Sequence, residues 1–110
     1  MKSTATLPIE QEILDQYDKE YRIVVSDKGF VHIGRAKKIE CPFLGDVVRL
    51  HDSYTIRHWG TESGLGQLCQ EGKQEGTILD YNGVVDIALS SILHTYLIRK
   101  TALETYDFIR

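Results

Sequence analysis

The chain has 110 residues, 42% of them hydrophobic and 26% charged, which suits one globular domain and excludes a disordered chain with too little apolar surface to offset ordering entropy. A net charge of −3 provides no global field for a phosphate backbone, so direct nucleic-acid binding is not expected, although Arg35 to Lys38 form a local basic stripe. Two cysteines, Cys41 and Cys69, without a CxxC pair, an apolar leader or a membrane-length apolar run, point to reduced thiols in a cytoplasmic protein.

In chain order, Pro8 to Tyr21 places Ile9, Ile13, Leu14 and Tyr17 on one helical face, with Glu10 and Glu12 in the first turn and Thr6 as candidate cap. Residues 1–21 therefore read as an N-terminal helical extension. The β-rich core is expected over 22–98. It begins with a hairpin, Arg22–Ser26 and Phe30–Gly34 around Asp27-Lys28-Gly29, because β-branched runs flank a turn triplet ending in glycine. Cys41-Pro42-Phe43-Leu44-Gly45-Asp46 breaks the next run, since proline cannot donate to a ladder and glycine permits a bend. Val47–Leu50 and Tyr54–Trp59 follow as separate strands.

Leu65–Gln70 reads as a short helix directing Leu65, Leu68 and Cys69 inward, stopped by Gly72. Thr77–Asp80 and Val84–Ala88 read as strands joined by a turn at Asn82-Gly83. Ser91–Ile98 reads as a final strand with Ile92, His94, Tyr96 and Ile98 on one face, in competition with a helix over 87–97. Thr101-Ala102-Leu103-Glu104 has the capping-box pattern, so a helix is expected within 99–110. The whole predicts a single α+β domain: a compact antiparallel sheet or partly open barrel of about six to seven strands, with short helices at both ends.

The candidate site is the segment from Tyr54 through Arg57, His58, Trp59 and Thr61 to Gly64 and Gly66, where the only tryptophan stands beside the densest glycine cluster. Glycines after a strand and before a helix can bring backbone amides to an anion, and an aromatic beside a cation can stack on a base or serve as a binding hot spot. The spacing GxxxGxG is neither a dinucleotide fingerprint nor a P-loop, and a tight structural turn is the preferred reading of these glycines over anion binding, because glycine first signals backbone freedom. Alternation puts Arg57 and Trp59 on one face; if the indole is buried, Arg57 needs a carboxylate such as Asp80 or Glu62. His32, His51, His58 and His94 have no metal-ligand rhythm with the cysteines, and no nucleophile, base and acid converge by spacing. Neither a metal, a cofactor nor catalysis is expected. Six tyrosines favour interfaces, though some must fill the core.

The segments Arg22–Val31, Ile56–Thr61, Gly64-Leu65-Gly66-Gln67-Leu68, Thr77–Asp80 and Gly83–Val85 together resemble a family of small phage- and prophage-encoded proteins. In that family a strand ending in Arg-Trp-Gly-Thr leads to a Gly-Leu-Gly-x-Leu turn. The resemblance covers roughly residues 22 to 98 and brings no catalytic residue. His58 stands where the family pattern has a second arginine, and Cys69-Gln70 replaces a small apolar residue; both argue against a shared basic site. The resemblance implies a counter-defence role: an inhibitor of a host bacterial defence system, such as an anti-CRISPR protein, acting by direct protein binding. The alternatives are a sponge for a small or cyclic nucleotide signal, with Arg57 on phosphate, and a minor virion component. Exposed sheet edges also make a homodimer an expectation.

Overall fold

A computed structural model describes residues 14–106. Five strands, β1 (Tyr17–Ser26), β2 (Val31–Ile39), β3 (Val47–His58), β4 (Ile78–Ala88) and β5 (Ile92–Arg99), form one open sheet in the order β4-β3-β2-β1-β5. Every neighbouring pair is antiparallel. Two short helices lying wholly within the described residues, α1 (Leu65–Gln70) and α2 (Lys100–Leu103), accompany it. β4 and β5 lie on opposite edges, yet only the turn Leu89–Ser91 separates them in sequence. The sheet must therefore curl strongly, because three residues span only about 10 Å.

Five strands replace the expected six to seven because two breaks are bulges. Val47–Leu50 and Tyr54–Trp59 belong to one strand, β3, which continues through Asp52 at φ 50° with a register shift between Leu50 and Ser53. Likewise Asn82-Gly83 is no hairpin turn: β4 runs through it, with Gly83 at φ 74° opposite Ser53. The Ser53 hydroxyl donates to the Gly83 carbonyl at 3.0 Å. Each bulge adds a residue and exchanges the sides on which side chains emerge. That switch distributes the apolar residues into two cores. Ile23, Val31, Ile33, Ile56 and Ile98 pack with Leu65, Leu68, Cys69, Ala102, Leu103 and Tyr106 on the face that carries the helices. Val24, Leu50 and Ile87 form a second cluster, with Ala36, Val48, Val85 and Ile92 packed against it.

The hairpin turn falls where expected, at Asp27–Gly29, with Lys28 at φ 62° and Gly29 at φ 81°. Leu65, Leu68 and Cys69 are buried, as their spacing requires. The expected last strand forms, as β5, but Ile92 packs on the second cluster while His94 and Tyr96 lie on the helix-bearing side. A register shift against β1 between Val25 and Ser26 separates them.

At the N-terminus, Tyr17–Tyr21 is strand, where the sequence suggested helix, because pairing with Arg99 and Ile98 of β5 captures it. Leu14 is helical and Asp15-Gln16 turn into β1, while residues 8–13 of that expected helix lie outside the described residues. The capping box does not form: Thr101 sits inside α2, whose N-cap is Arg99 without a side-chain cap. Residues 107–110 of that expected helix also lie outside the described residues. No helix among the described residues is long and apolar enough to cross a membrane.

Candidate functional site

The chain leaves β3 at His58, and its next residues are held by backbone packing. Thr77 donates its hydroxyl to the Trp59 carbonyl at 2.6 Å and accepts from the Gln74 amide at 3.0 Å. Gly60, at φ 68°, lies directly on the Gly76–Thr77 backbone; a Cβ there would stand 2.3 Å from the Gly76 carbonyl carbon. Only glycine permits this approach. Gln67 then ties the loop from within α1, its Oε1 accepting from the Glu62 and Ser63 amides at 3.0 and 2.9 Å.

This clamped loop forms one wall of a cavity of about 600 Å³, lined by Trp59, Ser63, Gly64, Leu65 and Gly66 with Val25, Gly29, Val31, His94 and Tyr96. Trp59 is 42% exposed and stands at the rim. His94 and Tyr96 make an edge-to-face contact with centroids 5.2 Å apart, and both project from β5 beside Val25 and Ile23 of β1. Gly64 needs glycine for its φ of 83°, but Gly66 does not: its helical backbone has open space where a Cβ would be. A helical glycine is less favourable than alanine by about 0.8–1 kcal/mol. The bare backbone at Gly66 enlarges the cavity without serving the fold.

Of the sequence-derived site residues, Trp59, Gly64 and Gly66 meet at this cavity, while the other four are elsewhere. Arg57 forms a two-pronged ion pair with Asp80, Nε–Oδ2 2.8 Å and Nη2–Oδ1 3.4 Å; the carboxylate raises its pKa further. The register shift after Ile56 and the end of β3 at His58 remove the alternation that would have set Arg57 beside Trp59. His58 is exposed, paired across to Ile78. Tyr54 packs against the helix-side core and meets Tyr81 edge-to-face at 5.1 Å. The Thr61 hydroxyl is buried without a hydrogen-bond partner among the described residues.

His94 and Tyr96 are the site residues that reading by segment misses. Their alternation on the last strand was visible, but only the pairing of β5 with β1 carries them to the glycine loop. Among the described residues no Lys, Arg, Asp or Glu lines the cavity. The basic stripe is also partly neutralised, by Arg35–Asp52 and Lys38–Asp46 pairs, each at 3.7 Å. Among the described residues no three His, Cys, Asp or Glu side chains gather to hold a metal. Cys69 is buried, and desolvation pushes its thiol up to about 12, so at neutral pH it is a protonated packing group.

Comparison with protein-family models, with curated proteins and with solved structures finds no match.

Proposed function

We propose that the chain is a non-enzymatic binding protein that seats an apolar or aromatic group of a protein partner in the cavity between Trp59, His94 and Tyr96. The observation that carries this reading is a cavity of about 600 Å³ with aromatic walls, a bare glycine edge and, among the described residues, no Lys, Arg, Asp or Glu in its lining. Its volume lies within the range of about 300–1,000 Å³ typical of binding pockets. An anionic nucleotide would bring phosphates that this lining does not neutralise, since Arg57 is committed to Asp80. A protein anchor needs no such neutralisation. Phe30, beside Gly29, is 58% exposed and Trp59 is 42% exposed, and partly exposed aromatics next to a pocket are the usual composition of a binding hot spot. The resemblance to phage proteins supplies the setting: the bacterial cytoplasm, with a component of a host defence system as the partner.

Two measurements test the reading together. Affinity purification of the tagged chain from bacterial extract should return one host protein in stoichiometric amount. A thermal-shift panel of linear and cyclic nucleotides should leave the melting temperature unchanged, whereas a tight ligand at about a hundredfold excess over Kd would add about 2.7 kcal/mol. A nucleotide-dependent rise with no captured protein would replace this reading with the signal-sponge alternative.

A further inference from the structure

β5 is an edge strand: among the described residues its only neighbour in the sheet is β1. Protein sheets usually guard such edges with charge, proline or a bulge. The opposite edge, β4, follows that practice, with Asp80 and Asp86 held by Arg57 and Arg49 at 2.8 Å each and a bulge at Gly83. β5, however, is bulged only near its start, where its register against β1 shifts between Val25 and Ser26, and from Ile92 to Ile98 it contains no Lys, Arg, Asp, Glu or Pro. Leu93 is 66% exposed.

The same segment reads alike in both directions. Ile92-Leu93-His94-Thr95-Tyr96-Leu97-Ile98 places Thr95 at the centre, flanked on each side by an aromatic ring, then Leu, then Ile. An interface with two-fold symmetry demands such a relation, because residue i must meet j while j meets i. We propose that two copies of this chain pair antiparallel along β5 about a two-fold axis at Thr95. Thr95 then faces Thr95, His94 faces Tyr96 of the second copy, and Leu93 faces Leu97; the pairing stops short of Ile92 and Ile98, which lie on opposite faces of the sheet. No like charges oppose one another, and Thr–Thr and aromatic pairs are favourable cross-strand partners.

Directly opposed residues of an antiparallel pair share a face. The sheet thus continues from copy to copy with the helices of both on one side. The consequence for the cavity is direct. His94 and Tyr96 line it from β5, so each copy's cavity receives along its β5 flank the matching rings of the other, and the pair presents two cavities side by side. The proposal concerns self-association and stands independently of which partner the cavity receives.

Sedimentation equilibrium on the full-length chain should give the mass of two copies at micromolar concentration. Register is then read by cross-linking in a Cys41→Ser background, with Cys69 buried. Opposed residues of an antiparallel pair have Cα atoms about 4.5–5.5 Å apart, within the disulfide range of about 4.4–6.8 Å. Thr95→Cys should therefore cross-link to its own copy under mild oxidation, while Leu93→Cys should not. Leu93→Lys should abolish the two-copy species, and Leu93→Lys/Leu97→Glu should restore it by placing opposite charges across the interface. A single-copy mass for the unmodified chain across the micromolar range would overturn the proposal. Equal cross-linking at the two positions would overturn its register.

Discussion

Replacing Gly60 by alanine should be among the most damaging single changes outside the apolar cores. The added Cβ would lie 2.3 Å from the Gly76 carbonyl carbon, 2.5 Å from the Thr77 nitrogen and 2.6 Å from the Gly76 Cα. All three are backbone atoms and cannot turn aside. Overpacking of this kind costs about 1–3 kcal/mol, and holding an L-residue at φ 68° costs about 1–2 kcal/mol more. A loss near 3 kcal/mol is a large fraction of the roughly 5–15 kcal/mol that stabilises a domain. For a chain of this size each kcal/mol moves the midpoint by about 4–6 °C, so the Gly60→Ala melting temperature should fall by about 12–18 °C. The assay is thermal unfolding followed by far-ultraviolet circular dichroism, with Gly45→Ala as a reference for positive φ alone, since Gly45 has φ 79° and open space around it. Equal melting temperatures for the two variants would refute the argument that close approach to Gly76 makes Gly60 indispensable.

Gly66→Ala should have the opposite sign in stability, gaining up to about 1 kcal/mol from helix propensity, while its methyl narrows the cavity and weakens partner capture; the same melt and a binding assay check both halves. Tyr106→Phe removes a buried hydroxyl that donates to the Leu68 carbonyl at 2.9 Å and should cost about 1–2 kcal/mol in urea unfolding. His32 has its pKa lowered by burial, and its Nδ1 is buried without a partner among the described residues. Its neutral form is therefore favoured by folding. This contribution is complete above the ordinary imidazole value of about 6.5 and is lost as pH falls below it; His32→Gln should flatten the dependence of stability on pH in that window. An aromatic disulfide reagent at pH 8 should modify Cys41 quickly and Cys69 only on unfolding, because burial keeps the Cys69 thiol protonated.

The β-rich architecture was legible because β-branched runs, the Lys28-Gly29 turn and the inward triad Leu65, Leu68, Cys69 are local signals. The strand count was not, for a specific reason. Asp52 and Asn82-Gly83 carry turn chemistry, but tertiary pairing of Ser53 with Gly83 converts both into bulges inside long strands. Tyr17–Tyr21 shows the same competition: helical periodicity yields to a strand partner more than seventy residues away in sequence. At the site, the glycines and Trp59 were legible as a cluster. Removing Arg57 and adding His94 and Tyr96 required the register of β3 against β4 and of β5 against β1, which spacing along the chain does not encode.

The most direct test of the cavity's role compares partner capture by Trp59→Ala and Arg57→Ala, both verified as folded. Trp59 stands at the cavity rim, whereas Arg57 is an exposed ion-pair member outside the lining. Loss of the captured host protein with Trp59→Ala and its retention with Arg57→Ala is the predicted result. Retention with Trp59→Ala and loss with Arg57→Ala would contradict the account and move the binding surface to the Arg57–Asp80 face of the sheet.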